Sequence, residues 1–87
     1  MKNIFVGNLD PGVTEASIRT LFEPHGPVHR VNMMTDRLTG VFRGFAFVEM
    51  RDSEADKAIA ALNASVVEGR PIDVHEGRKK LHSAAAH

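Results

Sequence analysis

The chain has 87 residues, 43% of them hydrophobic and 25% charged, which sets one domain around one core. Cysteine is absent, excluding disulfides and thiolate metal sites, and no apolar run approaches the roughly 20 residues that cross a bilayer. Lysine and arginine number 11 and so do aspartate and glutamate, so the formal charge of zero lacks the basic excess of strong nonspecific nucleic-acid binders.

The opening stretch Met1-Lys2-Asn3-Ile4-Phe5-Val6-Gly7 carries no long apolar segment of the signal-peptide kind and reads directly as a strand over residues 2–6. The cytoplasm is therefore the expected location. A turn at Asp10-Pro11-Gly12 follows. Thr14 is placed to cap a helix, with Val13 before it as a staple for Ile18. Ile18, Leu21 and Phe22 recur at helical spacing, and Pro24 and Gly26 stop the helix by Glu23.

A second strand spans residues 28–34, with Val31 and Met33 on one face and Asn32 and Met34 on the other. Residues 35–40 form a turn, leaving Phe42 in a mobile loop. The octapeptide Arg43-Gly44-Phe45-Ala46-Phe47-Val48-Glu49-Met50 is the third strand. Strand side chains alternate between faces, so Ala46, Val48 and Met50 share one side and Arg43, Phe45, Phe47 and Glu49 the other. A face holding both Arg43 and Glu49 is not a core face, so two phenyl rings lie where water can reach them. Each ring left exposed forfeits roughly 1.5–3 kcal/mol of burial, which calls for something to cover them.

Asp52 or Ser53 is expected to cap the second helix, whose stripe of Ala55, Ala58, Ile59 and Leu62 follows i, i+3, i+4, i+7. Val66-Val67-Glu68-Gly69 reads as a small hairpin leading into a last strand over residues 70–75, with Ile72 and Val74 inward and Pro71 marking an edge. The order βαββαβ is an α+β, ferredoxin-like arrangement: a four-stranded antiparallel sheet with both helices on one face. The domain is expected over residues 1–76, and residues 77–87 as a flexible basic, Ala-rich tail. Phe5, between inward Ile4 and Val6, has the parity of the open face, so three rings converge there.

The hexamer Ile4-Phe5-Val6-Gly7-Asn8-Leu9 and the octamer of the third strand resemble the two ribonucleoprotein motifs of the RNA recognition motif family. The octamer meets seven of eight positions of the family pattern, departing only at Met50, which points inward by parity. The resemblance spans roughly residues 2–76 and is nearest in look to compact single-domain bacterial members and to the domain of plant glycine-rich RNA-binding proteins. It implies that Phe5 and Phe45 or Phe47 stack on unpaired bases or ribose and that Arg43 meets a phosphate. Every base has a π-face, so such a platform reads single strands with tolerance for sequence.

Asn3, Asn32, Met34 and His75 share the open face and are further candidate contacts, while Arg78, Lys79 and Lys80 would assist electrostatically. Acidic residues dominate the two helices, whereas arginines dominate the second strand and its loop, so the molecule is expected to be dipolar with a basic rim on the sheet side. The expected partner is single-stranded RNA, with single-stranded DNA open, bound by a monomer that has no membrane contact. The alternative is a protein-interaction domain using the same face for a peptide or a dimer.

No enzymatic activity is expected. Gly40-Val41-Phe42-Arg43 is superficially similar to the phosphate-binding signature of acylphosphatases, but in that family the loop follows the first strand. No cofactor or metal is expected either, because His25, His29, His75, His82 and His87 show no tight ligand spacing.

Overall fold

A computed structural model of the chain describes residues 1–67 and 69–77. The elements run β1 (Lys2–Gly7), α1 (Glu15–Phe22), a 3-10 turn (Glu23–His25), β2 (Val28–Thr35), β3 (Phe42–Met50), α2 (Asp52–Leu62), β4 (Val66–Val67), β5 (Arg70–Pro71) and β6 (Asp73–Glu76). The main sheet has the order β2-β3-β1-β6, and every neighbouring pair in it is antiparallel. This is the expected βαββαβ sandwich, with β1 and β3 as the central pair. Among the described residues no helix is long and apolar enough to cross a membrane.

Alternation sorts the sheet as its sequence implies. Ile4 and Val6 of β1, Val31 of β2, Ala46, Val48 and Met50 of β3, and Val74 of β6 are all buried on the helix side. Ile18 and Phe22 of α1 and Ala55, Ala58 and Leu62 of α2 close over them. Met50 is completely buried, as parity requires. Thr14 caps α1 as its position predicts, its hydroxyl accepting a hydrogen bond from the Ser17 amide at 3.1 Å.

Three local expectations are corrected. The cap position of α2 is Arg51, in extended geometry and without a side-chain cap bond, not Asp52 or Ser53. Asp52 is instead the first helical residue, where its carboxylate favours the positive helix end and lies 3.4 Å from the Met1 ammonium.

The expected last strand over residues 70–75 is split in two. Arg70–Pro71 pairs with Val66–Val67 as a separate hairpin, and only Asp73–Glu76 joins the main sheet. Ile72 sits between them, its amide donating to the Ser65 carbonyl at 2.9 Å and its own carbonyl accepting from Ala64 at 3.0 Å. Those two bonds take Ile72 out of both ladders, while its side chain is buried in the core as alternation placed it. Glu68 of that hairpin lies outside the described residues.

Phe42, expected in a mobile loop, is the first residue of β3 and packs half-buried against the core. The turn before it is hydrogen-bonded throughout. Asp36 and Val41 pair through the backbone at 2.7 Å, and the Asp36 carboxylate accepts from the Leu38 amide at 2.8 Å and the Thr39 amide at 3.0 Å. The bonds from Thr39 and Leu38 hold the Asp36 carboxyl below the usual aspartate value.

Candidate functional site

Phe5 and Phe47 are direct cross-strand partners, and His75 of β6 is the partner of Phe5 on its other side. The pairing alone brings an aromatic row across three strands on the open face. Phe5 lies 5.6 Å from Phe45 and 5.8 Å from Phe47, centroid to centroid, and Phe45 meets Phe47 edge-on at 6.1 Å. The His75 ring stacks on Phe5 at 4.8 Å with an interplanar angle of 26°. All three phenyl rings are partly exposed, although Ile4, Val6, Ala46, Val48 and Met50 on the opposite face of the same strands are fully buried. The result is a tilted, four-ring surface rather than a flat stack, consistent with the preference of aromatic pairs for offset and edge geometries.

Small residues make room for this arrangement. A Cβ on Gly7 would come within 2.6 Å of the Phe5 ring, so Phe5 lies back along its own strand. One on Gly77 would come within 2.9 Å of Phe47 Cε1, so the Phe47 ring reaches across β1 to the end of β6. Gly77 is fixed there by its amide, which donates to the Asn3 carbonyl at 2.7 Å. Neither glycine stood out in the sequence beyond its place in a motif or at a domain end. The same-face spacing of Phe5 and Gly7 was the available signal for the first.

Arg43 sits at a β-bulge. The β2–β3 register shifts between Met33, opposite Ala46, and Thr35, opposite Phe42, and Gly44 takes φ +89° within the gap. Only glycine enters that backbone region without strain. The Gly44 carbonyl accepts from the Leu9 amide at 3.0 Å, tying the bulge to the loop that leaves β1. The bend brings the Arg43 guanidinium to 5.6 Å from the Phe45 ring centroid, in cation–π range. Arg43 makes no ion pair among the described residues, so a salt bridge to Glu49 or Asp73 does not occupy it.

Of the other candidates, Asn32 is the cross-strand partner of Phe47 and is exposed beside the rings. Asn3 is half-buried opposite Glu49, one step along the same face. Met34 falls in the register gap opposite residues 43–45 and is half-buried. Arg78, Lys79 and Lys80 lie outside the described residues. On the helix side, Lys2 bonds Asp56 at 2.8 Å, and that hydrogen bond holds its ammonium above the usual lysine value. Phe5, Phe45, Phe47, Arg43, Asn32 and His75 thus form one continuous surface, with Asn3 and Met34 at its margins.

Comparison with known proteins follows the same lines. Residues 4–73 match the family model described as RNA recognition motif. The chain is 44% identical over 78 residues to "Putative RNA-binding protein RbpD" of Nostoc sp. strain PCC 7120, an alignment covering 88% of this chain and 83% of that protein. Among solved structures it is similar to RNA Binding Protein PG1, with a TM-score of 0.87 and 38% identity over 93% of this chain and 99% of that one. A complex of the Sxl-lethal protein with RNA matches with a TM-score of 0.80 and 37% identity, over 87% of this chain and 47% of that one.

Proposed function

Because the chain belongs to the RNA recognition motif family, we propose that its open sheet face binds single-stranded RNA by stacking unpaired bases on Phe5, Phe45 and Phe47. The observation that carries this is the aromatic row itself: three phenyl rings in mutual contact, with the His75 imidazole stacked on Phe5, on the face that no helix covers among the described residues. Arg43 holds a backbone phosphate at one edge, and Asn32, Met34, Asn3 and His75 contribute contacts around the rings. The basic residues Arg78, Lys79 and Lys80 add attraction without sequence preference. The protein acts as a monomeric binding module in the cytoplasm rather than as an enzyme, and single-stranded DNA competes for the same surface.

Two or three stacked bases and a few phosphates, less the cost of ordering a flexible strand, give an affinity of about micromolar. With zero net charge and few cations on the face, binding should respond weakly to salt. Titration of a short labelled oligouridine at several salt concentrations is expected to give a slope of log K against log salt of about −2 to −4. A slope near about −8 would mean that Coulomb attraction, not stacking, dominates.

A further inference from the structure

The open face carries two carboxylates, Asp73 opposite Gly7 at the β6 edge and Glu49 on the central strand β3. Glu49 lies two residues beyond Phe47 on β3 and directly opposite Asn3 on β1. Negative charge on a face that receives a polyanion opposes binding, so a role for it is to be sought in what it can accept. Asn3 and Glu49 line a hollow of about 500 Å³ together with Met1, Lys2, Asp52, Glu76 and Gly77. Two of its three acids are matched with fixed cations: Asp52 with the Met1 ammonium at 3.4 Å and Glu76 with Lys2 at 3.8 Å. Glu49 makes its one charge contact among the described residues with His29, whose Nε2 is 3.9 Å away and carries charge only when protonated; Arg30, its cross-strand partner on β2, forms no ion pair with it. The Asn3 side chain makes no hydrogen bond among the described residues, although its backbone carbonyl is taken by Gly77.

Phe47 connects this hollow to the platform. Its ring reaches over to Gly77, which is itself part of the hollow's wall. A base stacked on Phe47 would therefore present its edge toward Glu49 and Asn3. A carboxylate offers two acceptors side by side and no donor. Guanine alone among the four bases places two donors, N1–H and the 2-amino group, next to each other on its Watson–Crick edge. Adenine and cytosine set one amino donor beside an acceptor, and uracil flanks its single donor with carbonyls. In a single strand that edge is free to be read.

Resting on the RNA-binding function proposed above, we infer that Glu49 is a specificity-determining residue that selects guanosine at the position stacked on Phe47, with the Asn3 amide beside it. The test uses the full chain and short oligouridines carrying one central guanosine, inosine or adenosine. The unaltered protein is expected to prefer guanosine to adenosine by about tenfold, with inosine, which lacks the 2-amino group, in between. Glu49→Gln should bring the guanosine and adenosine strands to within about twofold of each other. Its affinity for plain oligouridine should be unchanged or tighter, and its thermal melt unchanged. Equal binding of guanosine and adenosine strands by the unaltered protein, or a preference that survives Glu49→Gln, would overturn the assignment. If the unaltered protein binds none of the strands, the RNA-binding function itself fails and this inference with it.

Discussion

A Phe45→Ala, Phe47→Ala double variant is expected to bind short single-stranded RNA about a hundredfold or more weakly while remaining folded. Base–aromatic stacking contributes about 1–3 kcal/mol per base, and each 1.4 kcal/mol is about tenfold in affinity, so two rings at the middle of that range, about 4 kcal/mol together, exceed a hundredfold. The fold survives because neither ring belongs to the buried core; both stand on the open face. What the fold loses is the contact of these rings with each other and with Phe5, at 5.6 to 6.1 Å. Such pairs add about 0.5–1.5 kcal/mol each, against a domain stability of about 5–15 kcal/mol. Fluorescence anisotropy and a thermal melt on the same sample read both quantities. Unchanged affinity in a folded double variant would remove the platform from the mechanism.

Phe22→Ala should do the opposite. Phe22 closes α1 and is completely buried, the largest side chain so enclosed. Truncating a buried phenylalanine costs about 3–5 kcal/mol from lost transfer energy and the cavity left behind. In a domain of this size that lowers the midpoint of thermal unfolding by about 15–30 °C. Chemical denaturation should show the loss, and a change below about 1 kcal/mol would contradict the core as described. Binding per folded molecule should hardly change, since α1 lies across the sheet from the rings. One residue type thus serves stability on one face and recognition on the other, and only strand parity or helical spacing separates the two.

That separation was legible because it depends on local periodicity. Alternation in β1 and β3 placed Phe5, Phe45 and Phe47 on the open face and Met50 in the core, and the structure agrees at each position. The Thr14 cap was legible for a similar reason, since capping needs only a hydroxyl three residues before its amide. Features set by distant chain segments were not. Asp52 is drawn to the Met1 ammonium, and bonds to Ala64 and Ser65 take Ile72 out of both ladders, so the α2 cap and the continuity of the last strand departed from local pattern, while Ile72 itself points inward as alternation placed it. The bulge at Gly44 was likewise hidden, because a simple alternation of residues 43–50 leaves no place for an extra residue.

The candidate site shows the same division. Register decides that His75 stacks on Phe5, that Phe47 reaches Gly77 and that Glu49 faces Asn3. None of these contacts is a property of one segment. From the sequence Glu49 marks only a face that is not buried; the register sets it opposite Asn3, in the wall of the hollow that Gly77 shares. The neutral net charge has a structural counterpart as well, in that Lys2 is engaged with Asp56 and Glu76 and Arg19 with Glu15, leaving those cations less available to a ligand.

The most direct test of stacking on the open face is a chemical-shift titration of the labelled protein with short oligouridine. The largest perturbations are expected at the ring and backbone signals of Phe5, Phe45 and Phe47, with smaller ones at Arg43, Asn32 and His75, and little change along α1 and α2. Perturbations concentrated on the helices, with the three phenyl rings unmoved, would contradict it.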